Sequence, residues 1–484
     1  MPPVRKRRRL LGLAAAVRRR CLLGLAGALC LAGCARQPPN LLLISVDTLR
    51  PDHLAAYGYP RDTSPAIGRL AREGVLWENA YAPAPATVAS HASLFTGRHP
   101  YQHGSLNYGS PLADEERTLA EILQEGGYRT FAVATSVRFH EASGFSQGFD
   151  HYESLHEPAK DARGALATER VLALASSDDP RPFFGFVHYF GPHTPYWPPA
   201  EWRQRWHQGP APELPGGAAA YVHARRKPGH AVPPETLGYL QDLYDAEISY
   251  LDAELTRLLQ GLEAAGLAER TLVVLVSDHG EEFKEHGGLA HARTLYEEAL
   301  RVPLLMRLPG RLPQGLRVSR PAQLVDIAPT LLELLGQAGP PDLPGRSLLR
   351  DLESPQAAGE PDLVLGQRGL GQWSVSASLP EGRFKALFEQ GREAQLFQLD
   401  VDPGEQRDLA ATRPALLSDL QARAPQPLAA GLAPQREVSE QLRRRLIQIG
   451  YADEVDAVEE SRSSAARGSG EARNGAPSGL EESP

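Results

Sequence analysis

Acidic and histidine side chains follow three apolar segments of strand length. These are the runs 40–46, 271–277 and 183–190, which lead into Asp47, Asp278-His279 and Gly191-Pro192-His193. Such runs are typical of buried parallel strands, and ligands bind where the carboxyl ends of these strands meet. Asp and neutral His are ordinary ligands of divalent cations. The pattern predicts a metal site, with a helix N-cap at Asp47 and a capped turn at Asp278 as the alternatives.

Two hydroxyl residues lie close together in the segment Thr87-Val88-Ala89-Ser90-His91. Thr and Ser are favourable at helix N-termini, so the segment predicts the start of a helix. The unpaired N–H groups and positive dipole end of such a start suit a phosphate or a sulfate. The alternative is that the segment is only the N-terminus of a helix, with no catalytic or binding role.

Strands that alternate with helices must position these residues. Helices are predicted at residues 64–73, 116–125, 161–176 and 234–265. The alternation predicts an α/β fold with a large, mostly parallel sheet sandwiched by helices. Residues 196–233 are rich in Pro, Gly and Arg without clear periodicity, so we expect a surface insertion, either a specificity loop or an excursion.

The predicted secondary structure changes past residue 350, from long strands and helices to short strand-like pieces. Short strand-like pieces at 363–366, 373–377, 384–388 and 395–399 predict a small C-terminal antiparallel sheet, and a helix is predicted at 438–449. The segment 451–484 lacks core-forming residues and is predicted to be disordered. The predicted organisation is a signal peptide at 1–33, a tether at 34–39, a catalytic domain at 40–350, a C-terminal subdomain at 351–450 and a tail at 451–484.

Composition indicates a globular protein with an acidic body. The 484 residues are 42% hydrophobic and 23% charged, with a net charge of −8. Residues 1–33 contain eight Arg or Lys and no acid, so removing them takes the net charge from −8 to −16. An acidic body argues against sequence-independent binding to nucleic acid, which needs basic residues to neutralise phosphates.

The N-terminus predicts export. The 13 apolar residues at 21–33 are too few to span a bilayer but suit a signal peptide. Leu31-Ala32-Gly33-Cys34 resembles a bacterial lipobox, so we expect cleavage before Cys34 and a protein lipid-anchored there to the bacterial membrane, facing the periplasm or the surface. The alternative is a plain secretory signal. Cys21 and Cys30 would be removed, which excludes a disulfide framework and a thiolate metal site from the body.

Several motifs in order resemble the sulfatase family of the alkaline phosphatase superfamily, from about residue 38 to 410. They are Val46-Asp47-Thr48-Leu49-Arg50, Thr96-Gly97-Arg98, His188 to His193, Ser277-Asp278-His279-Gly280, Leu295-Tyr296-Glu297-Glu298 and Asp402-Pro403-Gly404-Glu405. The resemblance implies an alkaline phosphatase-like fold and an ester hydrolase.

The same resemblance aligns Thr87 with the Cys or Ser that the family oxidises to formylglycine. Ala89 and His91 replace the Pro and Arg of the family's C/S-x-P-x-R signature. Threonine oxidised at this carbon gives a ketone, not the aldehyde whose hydrate attacks sulfate. The resemblance therefore implies that the Thr87 hydroxyl acts directly.

One divalent metal ion is implied, with Asp47, Asp278, His279 and Thr87 as its ligands. The family usually has a second acid where Thr48 stands, so one ligand is missing or supplied differently. Fewer carboxylates and a histidine favour Mn²⁺ or Zn²⁺ over Ca²⁺.

His193 matches the family histidine that contacts the transferred group or the leaving oxygen. Ala292 replaces a family lysine, and its neighbours His291 and Arg293 could each supply the missing charge or proton. We favour His291, with a surface-loop histidine as the alternative reading. His91 and arginine side chains are expected to hold substrate oxygens.

Three functions follow from these patterns. The leading hypothesis is a hydrolase or transferase for phosphate, phosphonate or phosphodiester substrates, because a threonine ester cannot use the release route of formylglycine. The second is a sulfuric ester hydrolase with an unmodified threonine, and the third is a non-catalytic anion-binding lipoprotein. The expected partners are a small-molecule, glycan-linked or lipid-linked anionic ester and the membrane, with no nucleic acid.

Overall fold

The computed structural model describes residues 38–107, 110–156, 160–355, 362–369 and 371–425. The predicted signal peptide, Cys34, the predicted helix at 438–449 and the predicted tail lie outside the described residues. Within the described ranges, no helix combines the length and the apolar character needed to cross a bilayer.

A nine-stranded mixed sheet forms the centre of the described part. In chain order the strands of all the sheets in the described residues are β1 (Asn40–Val46), β2 (Val75–Tyr81), β3 (Arg129–Ala134), β4 (His151–Ser154), β5 (Phe183–Tyr189), β6 (Thr271–Ser277), β7 (Glu282–Phe283), β8 (Leu289–Ala290), β9 (Arg301–Arg307), β10 (Leu316–Val318), β11 (Ala322–Gln323), β12 (Leu363–Arg368), β13 (Gln372–Leu379), β14 (Gly382–Glu389) and β15 (Gln395–Gln398).

The central sheet has the order β10-β2-β9-β6-β1-β5-β3-β4, with β11 also paired to β2. Strand β9 is antiparallel to both of its neighbours, and the other pairs of this sheet are parallel. The predicted large, mostly parallel sheet is confirmed. Strands β7 and β8 form a separate hairpin.

Helices cover both faces of this sheet. The helices of the described residues are α1 (Pro65–Glu73), α2 (Thr87–Thr96), α3 (Pro100–His103), α4 (Leu119–Glu125), α5 (Lys160–Ala175), α6 (Ala200–Trp206), α7 (Gly217–Arg225), α8 (Pro234–Ala264), α9 (Glu297–Leu300), α10 (Ile327–Leu335) and α11 (Pro414–Arg423), of which α11 packs on the C-terminal sheet instead. Along β1, Leu41 and Leu43 pack with α2, α4 and α10, whereas Leu42 and Ile44 pack with α1, α5 and α8. Alternate residues of a strand point to opposite faces, so the apolar run 40–46 is buried on both sides.

The register of the three central strands brings their ends together. Val46 on β1 lies opposite Tyr189 on β5 and Ser277 on β6. All three strands run in the same direction, so the residues that follow them share one edge of the sheet. This edge is the place where the sequence predicts a site.

The C-terminal sheet has the order β12-β13-β14-β15 and is antiparallel throughout, as predicted. Two details differ from the sequence prediction. The helix expected from residue 116 begins at Leu119, because Thr118 is its N-cap and exchanges hydrogen bonds with Glu121. The insertion 196–233 contains two short helices, α6 and α7, and Tyr221 and Val222 of α7 are buried in the core.

Candidate active site

The loop after β1 is held in a strained conformation at the sheet edge. Thr48 has φ of 58°, which is unusual for a β-branched residue. Its N–H donates to Asp278 Oδ1 at 3.2 Å, and its carbonyl accepts from the Tyr244 hydroxyl at 2.6 Å. The N–H of Asp47 donates to the Tyr189 carbonyl at 2.9 Å. These bonds fix the backbone between the ends of β1, β5 and β6.

Asp47, Asp278 and His279 form a buried cluster at this edge. One possible ligand atom from each residue lies within 4.8 Å of those of the others, and all three residues are fully buried. Nδ1 of His279 lies 2.9 Å from the Gly280 carbonyl and donates to it, and Nε2 is directed into the cluster. Nε2 lies 3.4 Å from Asp278 Oδ2 and 3.8 Å from Asp47 Oδ1.

These donors fit a divalent cation. Oδ2 of Asp278 is buried and accepts no hydrogen bond from the described residues. Two buried carboxylates are costly unless a positive charge compensates them. A histidine whose other ring nitrogen donates to a backbone carbonyl is a common kind of metal ligand. The predicted cluster of Asp47, Asp278 and His279 is therefore assembled in the fold.

Thr87 is the first residue of α2 and faces this cluster. Its Oγ1 lies 3.4 Å from Nε2 of His279, and the residue is 2% exposed. The preceding Ala86 is extended and has no polar side chain with which to cap the first turn of α2. The N-terminal N–H groups and the dipole of a ten-residue helix thus lie beside the hydroxyl.

His91 lies one helical turn after Thr87 and supports the cluster. Its Nδ1 lies 2.8 Å from the Thr87 carbonyl and its Nε2 lies 2.9 Å from Ser45 Oγ. Nδ1 is also 3.6 Å from Asp278 Oδ2. Burial lowers the pKa of His91 to about 3, so the ring is neutral, donating to Thr87 and accepting from Ser45. The role of His91 in holding substrate oxygens stays a prediction.

His188 is a member of the cluster to which the sequence assigned no role. It lies on β5 and is fully buried, with Nε2 3.4 Å from Asp47 Oδ2. Its ring lies 4.6 Å from that of Phe139, and burial lowers its pKa to about 4. The sequence offered one indication of this residue, because His188 is the one histidine inside the otherwise apolar run 183–190.

His193 and His291, the two histidines predicted to contact the leaving oxygen or donate a proton to it, lie together near this cluster. Their ring centroids are 4.5 Å apart, and the ring of His291 is 4.8 Å from that of His279. The His291 side chain is only 7% exposed, so it is not a surface-loop histidine. Its Nδ1 lies 2.8 Å from Oε1 of the fully buried Glu281, a partner that the sequence did not identify.

Arg293 lines a cavity of about 570 Å³ between residues 293–296 and the C-terminal sheet. Glu282 and Arg368 line the same cavity. Burial and then the charge of Arg368 lower the pKa of Arg293. The structure thus places Arg293 two residues beyond His291, in this cavity, and its catalytic role stays a prediction.

Comparisons with known proteins identify the family of this chain. Residues 39–337 match the family model described as Sulfatase. The chain is 25% identical over 435 residues to an arylsulfatase of Clostridium perfringens, covering 77% of this chain and 90% of that protein. It is 28% identical over 463 residues to iduronate 2-sulfatase of Homo sapiens, covering 75% and 83%.

Solved structures share the fold. The phosphonate monoester hydrolase of Agrobacterium radiobacter matches with a TM-score of 0.67 at 22% identity, over 83% of this chain and 98% of that one. A protein solved in complex with its substrate D-glucosamine-2-N,6-O-disulfate matches with a TM-score of 0.68 at 20% identity, over 83% and 100% of the two chains.

Proposed function

This chain belongs to the sulfatase family, and on that basis we propose that it is a metal-dependent hydrolase of phosphate or phosphonate esters with Thr87 as the direct nucleophile. The family makes it a hydrolase of sulfuric or phosphoric esters. One observation carries the finer proposal: the buried Thr87 hydroxyl starts α2 and lies 3.4 Å from Nε2 of His279. The cysteines of the sequence are at positions 21, 30 and 34, so none occupies the nucleophile position.

Asp47, Asp278 and His279 are the residues that would hold one divalent cation, with the Thr87 oxygen as the next ligand. A cation bound there supplies positive charge that lowers the pKa of a hydroxyl and neutralises an anionic ester. The single imidazole beside two carboxylates favours Mn²⁺ or Zn²⁺ over Ca²⁺. Metal analysis of the purified protein, followed by chelation and readdition of each ion, tests this choice.

In the first step, Thr87 Oγ1 attacks phosphorus in line with the leaving alcohol. The bond between Oγ1 and phosphorus forms as the bond to the alcohol oxygen breaks, and the hydroxyl proton passes to solvent. The N–H groups at the start of α2 hold the remaining phosphoryl oxygens, where negative charge is concentrated. The product is a phosphoryl ester on Thr87.

The leaving alcohol takes a proton from His291 or His193. Nδ1 of His291 donates to Glu281 Oε1 at 2.8 Å, so the proton available to the alcohol is the one that Nε2 carries when the ring is protonated, and the carboxylate stabilises that charged form. Nδ1 of His193 bonds the Thr194 carbonyl, so its Nε2 is likewise the nitrogen that can face a substrate. Protonation by a positioned histidine typically contributes about 10²–10⁴-fold in rate.

In the second step, water attacks the phosphoryl ester and restores the Thr87 hydroxyl. An alcohol in place of water would make the protein a transferase. Phosphorus is favoured over sulfur because a threonine ester has no second hydroxyl on the same carbon. A formylglycine hydrate uses that hydroxyl to expel sulfate, and Thr87 lacks it.

The second candidate is a sulfuric ester hydrolase that uses unmodified Thr87. The names of the curated relatives favour it, since an arylsulfatase and iduronate 2-sulfatase are among them. A panel of substrates separates the two candidates. If the second candidate is right, Thr87 should prefer the sulfate ester over the phosphorus esters.

We also propose that the chain is exported and lipid-anchored at Cys34, and that its substrate is an anionic ester carried by a small molecule, a glycan or a lipid. The lipobox-like residues 31–34 support the anchor. Incorporation of labelled fatty acid into the chain, compared with Cys34→Ala, tests it. Label in both proteins, or in neither, would contradict the anchor.

The catalytic proposal is tested with the full-length chain in detergent, loaded with Mn²⁺ or Zn²⁺. Turnover of 4-nitrophenyl phosphate, a phosphodiester, a phenylphosphonate and 4-nitrophenyl sulfate is compared in the wild type, Thr87→Ala and Thr87→Ser. We expect the phosphorus esters to be preferred, with activity lost in the alanine variant and partly kept in the serine variant. Preference for the sulfate, with the same dependence on Thr87, would contradict the proposal and support the second candidate.

A further inference from the structure

The loop between β8 and α9 holds His291 in an unusual backbone conformation. We call residues 291–296 the His291 loop. Ala290 and Ala292, on either side of His291, have φ of 74° and 66°. Alanine rarely adopts such angles, because its Cβ then lies close to the following carbonyl oxygen. A conformation of this kind persists only where surrounding contacts hold it.

Two adjacent glutamates of the β7–β8 hairpin hold side chains of this loop. Oε1 of Glu281 accepts from Nδ1 of His291 at 2.8 Å. Oε1 of Glu282 accepts from the Thr294 hydroxyl at 3.0 Å. Both glutamates are fully buried. Both bonds end on side chains of the loop, so the main chain between them is held by another partner.

The C-terminal sheet supplies that partner. Nε of Arg368, the last residue of β12, donates to the Ala292 carbonyl at 2.6 Å. Its Nη1 donates to Gln372 Oε1 at 2.7 Å, and Gln372 lies opposite Arg368 in the pairing of β12 with β13. Two bonds in the plane of the guanidinium fix its orientation. A charged donor thus joins the sheet to the residue that directly follows His291.

A displacement of Ala292 would move His291, because the two residues are adjacent in the chain. The ring of His291 lies 4.5 Å from that of His193 and 4.8 Å from that of His279, beside the cation cluster. Its Nδ1 is bonded to Glu281, so Nε2 serves the leaving alcohol. Proton transfer needs a separation of roughly 2.6–3.2 Å, and a misplacement of about 1 Å is costly.

We propose that Arg368 is a positioning residue for this proton transfer. It holds the Ala292 carbonyl and so sets His291 against the leaving alcohol. The C-terminal sheet is then part of the catalytic unit, and Arg368 acts through the loop instead of on the substrate. This inference rests on the proposed function, because it takes His291 as the proton donor.

Kinetics of Arg368→Met test the proposal in the full-length protein, in detergent and loaded with Zn²⁺. An alkyl phosphate needs the donor, whereas the 4-nitrophenolate ion leaves without a proton. The kcat for the alkyl phosphate should therefore fall at least about tenfold more than the kcat for 4-nitrophenyl phosphate. KM should stay within about twofold for both esters. Equal losses for the two esters, or a change confined to KM, would overturn the proposal.

Two further variants separate positioning from packing. In Arg368→Gln the amide nitrogen is as many bonds from Cβ as Nε of arginine, so it can donate to the same carbonyl and should restore most of the loss. Arg392→Met is the matched control: Arg392 lines the same cavity, is 74% exposed and pairs with Glu389 at 3.0 Å. A loss as large in Arg368→Gln or in Arg392→Met as in Arg368→Met would overturn the proposal.

A proton NMR signal reports the position of His291 without turnover. The bond from Nδ1 to Glu281 should give a downfield resonance in the protein loaded with diamagnetic Zn²⁺, identified by its loss in His291→Gln. Arg368→Met should shift or remove this resonance, whereas Arg368→Gln and Arg392→Met should keep it. An unshifted resonance in Arg368→Met would overturn the proposal.

The two measurements separate this inference from the proposed function. A resonance that shifts in Arg368→Met, in a protein whose wild type turns over no phosphorus ester, would contradict the proposed function and leave the positioning role standing. Turnover by the wild type, with the resonance and the ratio of the two kcat values unchanged in Arg368→Met, would do the reverse.

Discussion

Nε2 of His279 lies 3.4 Å from Oγ1 of Thr87, between the end of β6 and the start of α2. The two residues are 192 positions apart in the sequence, and both are buried. This contact joins the candidate nucleophile to the cluster that can hold a cation. The proposed chemistry depends on it, because a hydroxyl outside the cluster would keep an ordinary, high pKa.

His188 is expected to support cation binding through Asp47. Its buried Nε2 lies 3.4 Å from Asp47 Oδ2, and partners of metal-ligating carboxylates typically affect affinity about 10–100-fold. His188→Asn should weaken Mn²⁺ or Zn²⁺ binding by that factor, measured by competition with a chromogenic chelator. His151→Asn, at a half-exposed histidine, is the control. Unchanged affinity in a folded His188 variant would show that the histidine serves packing alone.

Glu281 is expected to act through His291 on the leaving group. Glu281→Gln removes the charge that supports a protonated His291, so esters with poor leaving groups should suffer most. Turnover of an alkyl phosphate should fall at least about tenfold more than that of 4-nitrophenyl phosphate, within the usual range of acid catalysis. Glu285→Gln, at an acid paired with Arg50, is the control. Equal losses for both substrates would contradict the assignment of His291 as the acid.

Glu282 should make stability depend on pH. Burial raises its pKa to about 8 in the folded protein, whereas an unfolded glutamate titrates near 4.3. The folded state therefore binds one more proton between these values, and stability should fall as pH rises from about 4.3 to 8, by at most about 1.4 kcal/mol per pH unit.

Glu282→Gln cannot ionise and should lack this fall, while it keeps an oxygen to accept from Thr294. Urea unfolding of the wild type and the variant at about pH 5.5, 7 and 8.5 measures the difference between their free energies of unfolding. The relative stability of the variant should grow with pH. Glu269→Gln, whose side chain is 82% exposed, should show no such trend. A pH-independent difference would mean that Glu282 is ionised throughout.

Lys385 should stabilise the attachment of the C-terminal sheet. It is 1% exposed on β14, and its Nζ lies 3.0 Å from both Glu297 and Glu405. Lys385→Met leaves the buried Glu405 and the partly exposed Glu297 without their cation and should cost about 3–5 kcal/mol of unfolding free energy. Arg423→Met, which breaks an exposed pair with Asp419, should cost about 1 kcal/mol or less. A loss of unfolding free energy as small in Lys385→Met as in Arg423→Met would contradict a structural role for the ion pairs of Lys385.

The parts of the site that follow strand ends could be predicted from the sequence. Apolar runs show where buried strands lie, and parallel strands put Asp47, Asp278 and His279 on one edge whatever the loops do. The helix start at Thr87 also carries a local signal. These predictions needed only periodicity, strand direction and the turn chemistry of a few residues.

The partners of those residues could not be predicted in the same way. Glu281 beside His291, and Arg368 beside Ala292, depend on how a hairpin and a distant sheet fold back on the loop after β8. The reversed direction of β9 likewise depends on pairing across the sheet. His188 was visible as a polar residue in an apolar strand, but its contact with Asp47 depends on the pairing of β1 with β5.

The most direct measurement is to trap the group that Thr87 carries during turnover. The Mn²⁺-loaded full-length protein is mixed with 4-nitrophenyl phosphate or 4-nitrophenyl sulfate, quenched in acid and digested, and the peptide containing Thr87 is examined by accurate-mass spectrometry. The predicted result is a phosphoryl group on Thr87 with the phosphate ester, absent in Thr87→Ala. A sulfated Thr87, or turnover with no modification of Thr87, would contradict a phosphoryl-accepting threonine.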